Sequence, residues 1–182
     1  MTPVIIAIDP GLAGGIAWVK DGKAEAVPMP STPAGIRDVL DKARTFIDPF
    51  FIDPLNDGSG QAWHGYYECI CYIEKVNAMP RQGVSSTWTF AEHYGTLKAV
   101  LICLGIPQKD ITPAKWQKAI GATRPSVPKD APPKQKEAAK REGKHRIKEI
   151  VEARFPTLQV TLKTADALGI LLYAIEKEKT NG

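Results

Sequence analysis

Hydrophobic and polar positions along the chain fall into two rhythms. Residues 4–8, Val-Ile-Ile-Ala-Ile, form an unbroken apolar run, the pattern of a strand buried on both faces. The run ends on an acid, Asp9. Pro10-Gly11 turns the chain before a second apolar run at residues 16–19, which predicts a hairpin with a carboxylate at the end of its inner strand. Residues 23–28 read as a third strand behind an Asp21-Gly22 turn. Residues 66–74, Tyr-Tyr-Glu-Cys-Ile-Cys-Tyr-Ile-Glu, are strongly β-forming and again close on an acid, Glu74. Residues 109–111 predict a last, short strand.

The helical rhythm begins at Pro33, a natural first-turn residue, with Ile36, Val39, Leu40, Ala43 and Ile47 as one stripe to about residue 47. A long helix to about residue 104 follows a Ser cap and has two apolar faces. Phe90, Tyr94, Leu97, Leu101 and Leu104 form one; Trp88, Ala91, Gly95, Ala99 and Ile102 form the other. The first is expected against the sheet, the second against another helix or subunit. Gly95 costs a helix interior about 1 kcal/mol relative to Ala, which predicts close backbone approach there. Thr112-Pro113 open a short helix carrying Lys115, Trp116, Gln117 and Lys118. Residues 144–155 are amphipathic, with Ile147, Ile150 and Val151 inward. The final helix, residues 164–177, is nearly all apolar and holds Asp166 in its first turn. Between these elements, residues 48–65 read as a surface loop in which Phe50, Phe51 and Trp63 pack or meet a partner. The Pro- and Lys-rich stretch at about 122–143 reads as a flexible basic loop, with a short helix at 134–142.

A chain of 182 residues, 43% hydrophobic, fits one domain with a real core over residues 1–182. Met1-Thr2-Pro3 lacks the basic start of a signal peptide, and no apolar run approaches a membrane span. Three cysteines with no zinc-type spacing are expected to be buried thiols. Together these predict a cytoplasmic protein, or one in an equivalent reducing, DNA-containing compartment. Charge is more informative in its placement than in its total of +4. Residues 109–154 hold 13 Lys and Arg against 6 Asp and Glu, whereas residues 1–108 hold 8 against 11. A basic surplus gathered into one block predicts a polyanion-binding surface.

If the strands ending at Asp9 and Glu74 are parallel neighbours, their carboxylates stand side by side and repel unless a proton or a metal lies between them. Two groups of proteins carry an acid-ended hairpin of this kind. In ribonuclease H-like nucleases the acid holds a divalent metal; in actin-like ATPases it opens a phosphate loop. The ATPases need two such domains, and this chain is too short, so no nucleotide cofactor is expected.

Asp9 before Pro-Gly, Glu74 before a long helix with Gly95, and Asp166 before Ala-Leu at the head of the last helix together resemble the RuvC family of Holliday junction resolvases, within the ribonuclease H-like superfamily. Residues 79–95 look more like its phage-type members. The resemblance implies an α/β, ribonuclease H-like fold with a mixed five-stranded sheet flanked by helices. It implies a homodimeric crossover junction endodeoxyribonuclease that makes paired symmetric nicks in four-way DNA junctions. Asp9, Glu74 and Asp166 carry over as ligands of Mg²⁺ or Mn²⁺, with two ions per site. Arg81, Gln82, Lys115, Lys118, Arg124, Lys144 and Arg146 are the expected DNA contacts.

One departure stands out. The family usually places a second acid, or a His, three residues before the last Asp; here that residue is Lys163. Lys163 is expected to act on the scissile phosphate instead, with His145 or Glu149 as outside candidates to complete the site. The alternatives are a ribonuclease H-like nuclease for other branched or single-stranded DNA, and a catalytically weakened junction-binding protein.

Overall fold

The computed structural model describes residues 3–48, 63–76, 83–123, 125–128 and 130–181. Its centre is a five-stranded sheet in the order β3-β2-β1-β6-β7, built from β1 (Val4–Asp9), β2 (Gly15–Lys20), β3 (Lys23–Pro28), β6 (Cys69–Glu74) and β7 (Gln108–Ile111). β1, β2 and β3 form an antiparallel meander, while β6 and β7 run parallel to β1. The sheet is therefore mixed, and β1 lies at its middle.

β1 is apolar at successive positions because both of its faces are covered. Val4, Ile6 and Ile8 pack with Ile36 and Leu40 of α1 (Pro33–Arg44) and with Leu97 and Leu101 of α2 (Val84–Cys103). Ile5 and Ala7 pack on the other side with Trp116 of α3 (Pro113–Ala119), Ile147 and Val151 of α4 (Pro133–Arg154), and Leu168 and Leu171 of α5 (Ala165–Asn181). The result is helix, sheet and helix in three layers.

Several boundaries differ from the expectations. α1 stops at Arg44, and Thr45 turns extended to begin β4 (Thr45–Asp48), which pairs with β5 (Trp63–Tyr66) in a separate two-stranded sheet. A surface loop was expected over most of this stretch; the paired β-branched and aromatic ends made strands. Phe50 and Phe51 lie outside the described residues. The expected strand at 66–74 is broken at Tyr67 and Glu68, so only Cys69–Glu74 joins the main sheet.

The largest correction concerns the expected basic loop. Residues 133–143 are helical and run without a break into the expected 144–155 helix as the 22-residue α4. Pro133 sits in the first turn, where its missing N–H costs nothing, and Lys, Gln, Glu, Ala and Arg are all good helix formers. Gly143 is tolerated because it is buried at the point where α4 meets the core. Cys69 is half-buried and Cys71 buried, but Cys103, at the end of α2, is exposed rather than buried. No helix among the described residues is long and apolar enough to cross a membrane.

Candidate active site

Parallel pairing puts Ile8 opposite Ile73, so the next residues, Asp9 and Glu74, leave the sheet side by side. α5 packs along β1 and β2 and brings the first-turn Asp166 to the same end. The segment before α5 is held close by β2: a Cβ on Gly15 would come within 2.8 Å of the backbone oxygens of both Lys163 and Val27. The turn itself is locked by Thr164, whose buried Oγ1 accepts the Thr161 N–H at 3.0 Å. The N-terminal end of α5 favours a carboxylate through its dipole.

Electrostatics register the convergence. The Asp9 carboxyl is pushed up from 3.8 to about 8. Burial is the largest cause, followed by the charges of Asp166 and then Glu74, with Lys144 pulling the other way. Three acids and one lysine therefore share one field. Sequence reasoning placed Lys144 on the DNA backbone; the structure brings its charge to Asp9 as well.

Trp116 was missed as a site residue. Its indole N–H donates to Glu74 Oε1 at 2.8 Å. The signals were a tryptophan in a short helix otherwise rich in Lys and Gln, and a glycine, Gly169, in the middle of an apolar helix.

The other expected residues are solvent-exposed or lie outside the described residues. Lys163 is exposed in the turn before α5, and His145, Arg146 and Glu149 are exposed on α4. Lys115 and Lys118 are exposed on α3. Arg81, Gln82 and Arg124 lie outside the described residues. The first half of α4 carries part of the basic block read from the sequence; Lys134, Lys140 and Arg141, not named there as DNA contacts, border one groove with Glu137 and Lys144.

Among the described residues, no three His, Cys, Asp or Glu side chains stand close enough together, as they are, to cage an ion. The donor chemistry nevertheless suits a hard divalent cation: three carboxylates, one of them driven to hold a proton by burial and, after that, by its acidic neighbours. A cation between them would offset the repulsion that adds to the effect of burial on Asp9.

Solved structures match the whole chain. Thermus thermophilus RuvC aligns over 98% of this chain and 96% of its own, with a TM-score of 0.57 and 14% identity. The T. thermophilus RuvC in complex with Holliday junction substrate aligns over the same shares, with a TM-score of 0.56 and 16% identity. The chain has the RuvC fold. The five-stranded mixed sheet is thus that of the ribonuclease H-like class, as the resemblance implied. At this identity the likeness is one of fold. No protein-family profile and no curated protein matches the chain. Within the RuvC fold the three acids occupy one end of the sheet, where Lys144 of α4 is the cation whose charge acts on Asp9.

Proposed function

We propose that the chain is a metal-dependent endonuclease that resolves four-way DNA junctions by paired nicks. The observation that carries this reading is the convergence of Asp9, Glu74 and Asp166 at the end of the central parallel strand pair of a RuvC fold. Their oxygens would hold Mg²⁺ or Mn²⁺, two ions per site in the fullest form. Such ions activate a water and steady the leaving oxygen in phosphodiester hydrolysis. Around them the chain's own groups bind and orient. Lys144, whose charge reaches Asp9, would lie against the scissile phosphate and stabilise its developing charge. Lys115, Lys118, Lys134, Lys140, Arg141 and Arg146 would hold the flanking backbone.

Paired cuts need two sites. The outer face of α2 supports a homodimer: Val84, Trp88 and Ile102 are 88%, 72% and 69% exposed, and Ala91, Gly95 and Ala99 between them are exposed too. Gly95 is not explained by packing within the chain, because a Cβ there would meet nothing within 4 Å among the described residues. A second copy of α2 would use that gap.

The deciding experiment offers labelled four-way junctions and linear duplexes to the protein with and without Mg²⁺. Symmetric nicks in the junction alone, only with metal, are expected. Equal cutting of linear duplex overturns junction selectivity. Tight junction binding with no cutting in Mg²⁺ or Mn²⁺ favours the second reading, a junction-binding protein, which Lys163 in place of an acid motivates.

Two predictions follow from the arrangement of cations. Lys144→Ala slows single-turnover cleavage at saturating metal on the order of a hundredfold, whereas Lys163→Ala costs much less because Lys144, not Lys163, is among the charges that act on Asp9. The opposite order returns the catalytic role to Lys163. Changing Lys134, Lys140 and Arg141 together to Gln lowers the slope of log affinity against log salt by up to about three, one phosphate contact each. An unchanged slope means this half of α4 stands clear of the DNA.

A further inference from the structure

We infer that Trp116 is a positioning residue that sets Glu74 for the ion, seated in a notch that Gly169 leaves in α5. The inference rests on the metal-dependent reading above. Trp116 is fully buried, and its N–H donates to Glu74 Oε1 at 2.8 Å. The ring lies against α5 where a Cβ on Gly169 would come within 2.6 Å of Cζ3 and 3.3 Å of Cε3. Gly169 follows Asp166 by just under one helical turn. One rigid indole therefore touches the helix that carries one acid and holds the side chain of another.

The chemistry suits this role. An indole N–H is a donor only, so it grips a carboxylate oxygen without competing for a cation. Glu74 has a flexible side chain at a strand end. Fixing one oxygen on a locked ring removes rotamers that ion binding would otherwise have to freeze. Packing alone does not require this partner. A buried tryptophan does not have to meet a carboxylate: the indole N–H of buried Trp18 has no hydrogen-bond partner among the described residues. At Trp116 the acceptor is a strand-end acid, and a buried helix interior gives up a side chain at Gly169, at a cost of about 1 kcal/mol, to admit the ring.

The test separates the N–H from the ring. Trp116 is replaced by 3-benzothienylalanine, which keeps the ring shape and puts sulfur where the N–H was. Mn²⁺ binding without DNA is measured by electron paramagnetic resonance, alongside thermal unfolding in EDTA and junction affinity in EDTA. The expected result is a loss of Mn²⁺ affinity of about tenfold or more, with unfolding and junction affinity near wild type. Gly169→Ala, which displaces the ring, should lower Mn²⁺ affinity in the same direction. Wild-type Mn²⁺ affinity in the benzothienyl protein overturns the positioning role while leaving the metal site standing. A wild-type protein that binds no Mn²⁺, or binds it as well after Asp9→Asn, overturns the metal site and the positioning role together.

Discussion

Asp9→Asn abolishes junction cleavage, leaves junction affinity within about twofold because phosphate contacts dominate it, and stabilises the ion-free protein at alkaline pH. The first effect removes a ligand charge while keeping the side chain's shape. The third follows from the raised carboxyl. Asp9 holds its proton to about 8 in the fold but ionises near 3.8 when unfolded. Between those values the folded chain binds one more proton than the unfolded chain, so stability falls as pH rises through that window and levels off above it. In the fully ionised fold, the buried charge faces Asp166 and Glu74 at a cost of a few kcal/mol. Asn carries no such charge. In EDTA, the wild-type unfolding temperature should therefore drop from pH 5 to pH 9, about the span of the raised carboxyl, while the variant's stays flatter. Parallel curves for the two proteins would mean that Asp9 is not the strained acid. Loss of both binding and cleavage in a folded variant would remove the metal-site assignment.

Trp88→Glu is expected to break the proposed dimer. Large aromatic anchors dominate interfaces, and a charge in the middle of an apolar face strands a desolvated carboxylate. The dissociation constant should rise on the order of a hundredfold or more, and sedimentation should show monomers at micromolar protein. The folded core should be untouched, since the side chain is 72% exposed. On a plasmid bearing a cruciform, wild type should yield linear product from coordinated cuts and the variant should yield nicked circles. A variant that stays dimeric would move the interface away from α2. A wild type that is monomeric both on and off DNA would leave a single-nick enzyme.

The acids were legible because strands announce themselves. An all-apolar run can only be central, and an acid ending two such runs places both charges at one end if the runs pair in parallel. The β1–β6 register fulfils that condition. The two apolar faces of α2 were legible by spacing alone, and the burial of Leu97 and Leu101 beside the exposure of Trp88 and Ile102 separates them. Trp116 was not picked out, because its partner lies 42 residues away and the hints, a tryptophan among Lys and Gln and a glycine in an apolar helix, do not name that partner. The first half of α4 was legible in part: its helix formers marked a short helix at 134–142, but a stretch with no buried residue has no hydrophobic period to join it to the helix that follows. Lys163 was picked out by position in a family pattern; the reach of Lys144 to Asp9 depends on how α4 packs on α5, which no local spacing encodes.

The continuity of α4 separates reach from chemistry. The helix is about 33 Å long at 1.5 Å per residue, its buried residues begin at Gly143, and none of residues 133–142 is buried. Those residues form an overhang with no apolar obligations. Adding or removing one turn there would shift the outermost cations by about 5.4 Å without altering Ile147, Val151 or any acid. The arm is thus free to lengthen or shorten around an unchanged cluster of acids. The same freedom makes this overhang the place to splice in a foreign segment.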